Sequence, residues 1–303
     1  MMERIHHFEP EKMSVSEALE RMRRMGFGAR RLALGCDVIE EMIRDEKCLV
    51  FMGLAGAMVP AGMKRVILKF IQNGWVDVLV TTGANLTHDL VEAFGGSHYL
   101  GSDAANDSHL REEEINRIFD VFMPNEVYLK LEENLQPIFS ELSGKRYSVK
   151  EFLAELGKRA PEGSILRACV DNNVDLYCPG IADSGIGLQM WLFLQENDII
   201  VDTFSDLKDI IKRAWDAERT GAIIIGGGVP KNFVLQTLQA TDKEHTYAVQ
   251  ITTDRAESGG LSGAHLREGI SWGKIGKDAK YVDVICDATI ALPLITSALM
   301  ERL

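Results

Sequence analysis

The sequence predicts an α/β fold, a mostly parallel sheet flanked by helices, on the strength of two observations. First, short apolar runs alternate with amphipathic segments along the 303 residues, as strands alternate with crossover helices in such folds. Second, small or polar residues follow each apolar run. In a parallel sheet these residues gather at the carboxyl ends of the strands, where ligands bind.

Two helices are expected in residues 1–47. Ser14 and Glu17 have the spacing of a capping box, and a second helix is predicted over Arg31–Arg44. Apolar runs of strand length follow, all far too short to span a membrane. These runs are Cys48–Met52, Val76–Val80, Val174–Tyr177, Ala222–Ile225, Tyr247–Ile251 and Val282–Cys286.

A helical insertion is expected at about residues 101–158. Within it, Ser148 and Glu151 form a second capping-box pattern, and Gly157 is a suitable stop for the helix that they begin. The chain shows no internal repeat and no low-complexity linker. We therefore predict a single domain over residues 1–303.

The composition narrows the class of partner and the compartment. Asp and Glu number 45 and Lys and Arg number 33, which gives a net charge of −12. This balance argues against nucleic acid and suits cationic ligands, although acidity that serves only solubility is the alternative. The charged N-terminal segment lacks the apolar stretch of a signal peptide, so we expect a cytoplasmic protein without a membrane anchor.

Cysteine and histidine usage gives no sign of a metal site. The five cysteines form no Cys-x-x-Cys pair, and the seven histidines are scattered without the spacing of metal ligands. Free, buried thiols are therefore expected, as is typical of a reducing compartment.

Two motifs at predicted strand ends are candidates for cofactor binding. Gly226–Gly228 follow a strand and precede a helix, so the backbone there can approach a pyrophosphate, although a plain tight turn is an equal alternative. Asp183 and Asp287 also follow strands. A carboxylate at such a position either accepts hydrogen bonds from ribose hydroxyls or caps the next helix.

Two side chains are candidates for chemistry. Lys274 comes directly after Trp272 and Gly273. Most lysines are solvated surface residues, but a lysine against an aromatic wall can lose its proton and attack an imine. His88 stands at the expected start of the helix after the Thr81–Asn85 loop. It is either a proton carrier or a residue without chemistry.

Together these motifs resemble deoxyhypusine synthase. Gly226-Gly-Gly-Val-Pro-Lys231 and Ser271-Trp-Gly-Lys-Ile275 carry the resemblance, with Asp287-Ala beyond them. The resemblance runs from about residue 48 to the end of the chain. Its upstream blocks are Val76–Thr82, Tyr99–Gly101, Glu114–Ile118 and Pro124–Glu126.

The resemblance implies a Rossmann-like sheet and an NAD-dependent transferase, usually a homotetramer with active sites at a dimer interface. In this family NAD oxidises the secondary amine of spermidine to an imine. A lysine that matches Lys274 captures the aminobutyl portion, and 1,3-diaminopropane leaves. An acceptor amine then takes the group, and the retained NADH reduces the new imine.

The resemblance also implies roles for individual residues. We expect Lys274 and His88 to be catalytic. The expected substrate-binding residues are Trp272, Glu268, Lys231 and Asn232. The expected cofactor-binding residues are Thr82, Gly83, Asp183, Gly227, Gly228, Thr253, Asp254 and Asp287.

Several positions depart from the family pattern. Asn232 and Phe233 stand where the family has two histidines, the first of which is its proposed base. Leu188 and Leu261 stand where the family has aspartates, which weakens the attraction for a multiply charged amine. His88 replaces a glutamate and is a candidate for the missing base.

These departures leave three hypotheses open. The first is an aminobutyl transferase whose acceptor is a small polyamine, as in homospermidine formation. The second is true deoxyhypusine synthase, whose acceptor is a lysine of the hypusine-bearing translation factor. The third is an NAD-binding scaffold without catalysis.

Overall fold

The computed structural model describes residues 3–303, which fall into two compact units assembled from separate stretches of the chain. The first unit contains the residues up to Gly56, together with Asn73–Val80 and Leu207–Leu303. The second unit contains Ala57–Gln72 and Thr81–Asp206. The single domain expected from the sequence stays a prediction.

Helices and short strands alternate along the described residues. The helices are α1 (Val15–Met22), α2 (Phe27–Arg44), α3 (Lys64–Gln72), α4 (Gly83–Ala93), α5 (Asp107–Glu112), α6 (Glu126–Leu142), α7 (Val149–Arg159), α8 (Ile165–Asp171), α9 (Gly185–Phe193), α10 (Ser205–Asp216), α11 (Gly228–Gln239), α12 (Glu268–Ser271) and α13 (Ala288–Arg302). The strands are β1 (Cys48–Leu54), β2 (Val78–Thr81), β3 (Tyr99–Leu100), β4 (Ile115–Ile118), β5 (Val121–Pro124), β6 (Arg146–Ser148), β7 (Asp175–Tyr177), β8 (Ile200–Asp202), β9 (Arg219–Ile225), β10 (His245–Thr252) and β11 (Ile275–Ile285).

The first unit is built on strands in the order β11-β10-β9-β1-β2. The pairs β1 with β9, β9 with β10, and β10 with β11 are all parallel. Their register places Leu54 and Ile251 on either side of Ile225, and Thr252 beside Ile285. These strands therefore end along one edge of the sheet, which confirms the predicted parallel α/β arrangement.

The last strand is longer than the sequence predicts. It begins at Ile275 rather than at Val282, because β11 is the outermost strand and pairs only with β10. Residues such as Lys277 and Asp278 remain exposed there. An edge strand with one solvated side does not need the continuous apolar run by which buried strands are recognised.

Helix α2 covers one face of this sheet and packs against β10 and β11. Its buried side is apolar and includes Cys36, Ile39 and Met42. A Cβ atom at Gly35 would lie only 2.8 Å from a methyl carbon of Val284, so a glycine is what allows the helix to approach β11 this closely.

The second unit contains smaller sheets and most of the remaining helices. The strands β3, β5 and β4 form an antiparallel sheet, and β6 pairs with β8 in parallel. The segment at residues 101–158 therefore carries three strands, β4 to β6, in addition to the helices α5, α6 and α7 that were expected there.

Both predicted capping boxes are confirmed, at Ser14 with Glu17 and at Ser148 with Glu151. The prediction that Gly157 ends its helix is wrong, because α7 continues to Arg159. A Cβ atom at Gly157 would lie 2.6 Å from the Leu166 carbonyl oxygen. This glycine therefore serves the close packing of α7 against α8 rather than a helix end.

All five cysteines are free thiols, and only Cys286 among them is partly exposed. Over residues 3–303, no helix combines the length and the apolar composition needed to cross a membrane. Within the same described range, no three His, Cys, Asp or Glu side chains are grouped as metal ligands.

Candidate active site

The glycine loop joins β9 to α11 and has two separate needs for glycine. Gly226 and Gly228 adopt φ values of 74° and 57°, in the left-handed region that favours glycine. At Gly227 a Cβ atom would lie 2.2 Å from the Cα of Ser262. The loop therefore packs directly against the Leu261–Ala264 segment. A plain turn would not need glycine for such a contact.

Lys231, in the first turn of α11, forms hydrogen bonds with the Leu261–Ala264 segment. Its side chain is almost fully buried, and its Nζ atom donates to Gln250 Oε1 at 2.8 Å. It also donates to the carbonyl oxygens of Leu261, at 2.8 Å, and Ala264, at 2.6 Å. An ammonium has three protons and here three protein acceptors. Burial lowers the pKa of Lys231 to about 8, which leaves the group mostly charged at pH 7.

Lys274 lies on the turn between α12 and β11, and the structure places it against an aromatic ring as expected. Its Nζ atom is 5.5 Å from the centroid of the Trp272 ring, and that ring is itself 65% exposed. Gly273 adopts a φ of 63°, which allows the sharp turn between the two. Burial lowers the pKa of Lys274 and so raises the fraction of neutral amine at a given pH.

Two carboxylates lie close enough to affect the pKa of Lys231. Glu268 is the exposed first residue of α12, and Asp283 is a buried residue of β11. After burial, which dominates, the charges of Asp283 and Glu268 raise the pKa of Lys231 and that of Lys274 lowers it. The four charges therefore lie within electrostatic range of one another.

Sequence reasoning missed Asp283 and its partner His265. Asp283 Oδ1 accepts the Leu266 backbone N–H at 3.0 Å, and its Oδ2 lies 3.5 Å from Nδ1 of His265. Asp283 lies within the predicted strand Val282–Cys286, four residues before Asp287. Its one visible signal was a carboxylate inside that otherwise apolar run.

The expected cofactor residues of the first unit lie at the ends of strands. Thr253 and Asp254 follow β10 and are exposed. Asp287 follows β11 and caps α13, since its Oδ1 accepts from the backbone N–H and the hydroxyl of Thr289 at 2.7 and 2.6 Å. The helix-capping alternative at Asp287 is therefore present in the structure.

In the second unit, Thr82, Gly83 and Asp183 lie on two loops that meet. Thr82 caps α4 by accepting the N–H of Asn85, and Gly83 is its first residue. A Cβ atom at Gly83 would lie 2.5 Å from that of Ser184. The exposed Asp183 therefore lies beside the N-terminus of α4.

His88 lies within α4 rather than at its start, because the helix begins at Gly83. Its Nδ1 atom is 2.9 Å from Nε2 of His98. Burial, with a smaller effect of His98, lowers the pKa of His88 to about 4. The ring is therefore neutral at pH 7.

The four residues that depart from the family pattern lie in different environments. Asn232 Nδ2 donates to Gln236 Oε1 at 2.8 Å along α11, and Phe233 is buried in the core. Neither residue can move protons as an imidazole does. Leu188 is 64% exposed on α9, and Leu261 uses only its backbone carbonyl to accept from Lys231.

The parallel sheet carries glycine and aspartate at its strand ends, and a partly buried lysine lies near an aromatic ring. Together these features are typical of an α/β enzyme. The family model described as deoxyhypusine synthase matches residues 17–299. The chain belongs to the deoxyhypusine synthase family and is a transferase of aminoalkyl groups.

Two relatives come from one organism, Methanosarcina acetivorans. "Probable deoxyhypusine synthase 1" is 49% identical over 292 residues, which cover 96% of this chain and 92% of that protein. "Probable deoxyhypusine synthase 2" is 40% identical over 301 residues, covering 95% and 87%. A crystal structure from Entamoeba histolytica that carries the deoxyhypusine synthase name has a TM-score of 0.67 at 18% identity, covering 95% of this chain and 94% of that one. This last likeness shows the fold.

Proposed function

We propose that the protein transfers a 4-aminobutyl group from a polyamine such as spermidine to an acceptor amine through an imine on Lys274. The observation that carries this proposal is the Lys274 amine, partly buried and 5.5 Å from the Trp272 ring centroid. A lowered pKa raises the fraction of the neutral amine, which is the nucleophilic form of lysine.

NAD is the proposed cofactor, and when bound it would accept the hydride that turns the donor amine into an imine. The residues at the strand ends fit such a group. Gly228 leaves open space where a side chain would project, and Asp254 and Asp287 offer exposed carboxylates for hydroxyl groups. Thr82, Gly83 and Asp183, on two loops of the second unit that meet, are proposed cofactor-binding residues as well.

Lys274 performs the transfer step with its own lone pair. The neutral amine attacks the imine carbon of the oxidised donor, a new C–N bond forms to Nζ, and the original C–N bond breaks. The departing amine, 1,3-diaminopropane for spermidine, takes the electron pair of that bond and a proton. The Trp272 ring would hold the alkyl chain, and Glu268 would pair with an ammonium of the donor.

For the acceptor we propose a small polyamine such as putrescine, which would give a homospermidine-type product. Leucines at Leu188 and Leu261 and the changed Asn232-Phe233 pair support a rebuilt amine site. Methanosarcina acetivorans has two relatives of this chain, which is compatible with a different acceptor for each of the two proteins. The alternative, favoured by the names of both relatives, is a lysine of the hypusine-bearing translation factor.

An assay with spermidine labelled in its aminobutyl portion separates these acceptors. With NAD present, we expect label to move to added putrescine. Label that moves only to the translation factor would establish the alternative. If no amine receives label and no NAD is reduced, both enzymatic proposals fail and an NAD-binding scaffold remains.

Restoring a carboxylate should strengthen the binding of a multiply charged donor. For Leu261→Asp we expect the KM for spermidine to fall about tenfold or more, since a hydrogen bond to a charged group is worth about 1.5–3 kcal/mol. Ile290→Asp, on an exposed site of α13, adds the same charge and is the control. Equal KM values for the two variants would remove Leu261 from the donor site.

We also propose a homotetramer in the cytoplasm. Free thiols suit a reducing compartment. Helix α9 is apolar on all sides, yet Leu188 and Trp191 are 64% and 62% exposed in the single chain. An apolar surface of this kind is typical of an interface between subunits.

Placing a charge on this surface of α9 should therefore separate the subunits. For Trp191→Glu we expect light scattering during gel filtration to report a species smaller than the parent, while Glu133→Lys, at an exposed site of α6, leaves the mass unchanged. An unchanged mass for Trp191→Glu would place the interface elsewhere.

A further inference from the structure

An exposed surface that is both aromatic and basic lies at the beginning of helix α2, in the first unit. Phe27 is the first residue of this helix, and its side chain is 96% exposed. Its φ of 57° lies in the left-handed region, which residues other than glycine seldom adopt. Arg30 and Arg31 follow three and four residues later, so they lie on the same side of the helix, and both are exposed. We call these three residues the Phe27 surface.

The arginines of the Phe27 surface have no carboxylate partner among residues 3–303. Arg30 forms no ion pair there, and Arg31 donates only to a backbone group, the carbonyl oxygen of Asp283, at 3.0 Å. Arg24 comes just before the helix and is also exposed, with no ion pair in the described part of the chain. Three guanidinium groups are therefore close together without a counter-charge from the protein.

The acidic side chains on either side of this segment are already paired. Glu20 of α1 and Asp37 of α2 both bind Arg23, at 3.0 and 2.7 Å. The chain as a whole has 45 acidic and 33 basic residues. The Phe27 surface is thus a local exception to the charge of the chain, and its counter-charge has to come from outside.

The composition of the Phe27 surface is typical of the centre of a protein interface. Aromatic and arginine side chains are enriched there and contribute much of the binding energy once water is excluded. The ring of Phe27 is almost fully exposed, so it contributes nothing to the core of the free chain. A partner with an apolar side chain for the ring and carboxylates for the guanidinium groups would bury the first and neutralise the others.

We propose that the Phe27 surface binds an acidic polypeptide segment that carries apolar side chains between its carboxylates. Arg31 reaches Asp283 of β11, so the surface lies near the carboxyl end of that strand, in the first unit. The proposal goes beyond the proposed function, because it involves neither an amine substrate nor NAD.

Two other occupants suit the surface less well. A symmetric contact with a second copy of this chain would place the arginines of both copies face to face. Nucleic acid can stack a base on an aromatic ring, but it carries a charge at every nucleotide and would soon extend over the acidic surface of a chain whose net charge is −12. A segment with a few carboxylates between apolar residues needs only the arginines of this region.

Binding can be measured by fluorescence anisotropy with two labelled peptides of equal length. One peptide consists of glutamate, and in the other some of the glutamates are replaced by leucine. We expect the whole protein to bind both peptides at low salt and to bind the leucine-containing peptide about tenfold more tightly, since a buried apolar anchor is worth at least this factor. Added salt should weaken the binding of both peptides.

Three variants locate the binding surface. Phe27→Gly should remove the difference between the two peptides, and it should not lower the urea midpoint of unfolding, because glycine adopts a φ of 57° without strain. Arg30→Glu should weaken the binding of both peptides by about tenfold or more. Arg65→Glu makes the same change of charge at an exposed position of α3 and should retain the parent affinities.

Several outcomes would overturn the proposal. These are the absence of peptide binding by the parent protein, equal affinities of the parent for the two peptides, and equal weakening by Arg30→Glu and Arg65→Glu. An oligothymidylate that binds more tightly than either peptide would make nucleic acid the partner. A smaller mass of Phe27→Gly in light scattering would make the surface a contact between copies of the chain. None of these measurements depends on transferase activity, so the proposed function is tested separately.

Discussion

Product formation by Lys274→Ala is expected to fall by at least about a thousandfold, because the substitution removes the amine on which the proposed imine with the aminobutyl portion forms. The substitution removes an amine that is only partly buried and makes no hydrogen bond with its neighbours in the way that Lys231 does. Folding should therefore be preserved. Radiolabel transfer from spermidine measures the loss, and calorimetric titration with NAD should give the affinity of the parent protein.

Lys277→Ala is the matched control for this prediction. Lys277 lies on the same strand, β11, and is exposed to solvent. Its loss should leave transfer unchanged. If Lys274→Ala retained more than about a tenth of the parent rate, the lysine would not form an obligatory intermediate. If it lost NAD binding as well, the lysine would be structural.

Lys231→Met should cause the largest loss of stability. Methionine is similar in length, but it leaves Gln250 Oε1 and the carbonyl oxygens of Leu261 and Ala264 without their donor. A buried acceptor without a partner costs about 1–3 kcal/mol, so the free energy of unfolding should fall by about 3 kcal/mol or more. Urea denaturation followed by circular dichroism measures this change.

The exposed Lys212→Met on α10 provides the comparison and should unfold at the parent urea concentration. Equal unfolding midpoints for both variants would mean that the three hydrogen bonds of Lys231 contribute no net stability. Its place would then be that of a substrate contact, as the family resemblance implies.

The sequence predicted the parts of the fold that depend on local pattern. Runs such as Ala222–Ile225 and Tyr247–Ile251 lie within observed strands, because a buried strand must be apolar. The turn at Lys274 was also predictable, since Gly273 lets the backbone bend beside Trp272. Family resemblance added the expected chemistry of that lysine.

What the sequence did not reveal depends on distant neighbours. Lys231 is held by two backbone carbonyls, which leave no mark on residue identity. His98 is one of seven histidines in the sequence, and only the folded chain places it beside His88. Gly157 has the features of a helix stop, and only the neighbouring helix α8 shows why a glycine is required inside α7.

The most direct test of the central claim is to trap the imine on the parent protein. Purified protein is incubated with NAD and spermidine, reduced with borohydride, digested and analysed by mass spectrometry. We expect one 4-aminobutyl group on the peptide that contains Lys274, dependent on both NAD and spermidine. An adduct on another lysine, or none while label still reaches an acceptor, would contradict the proposed imine on Lys274.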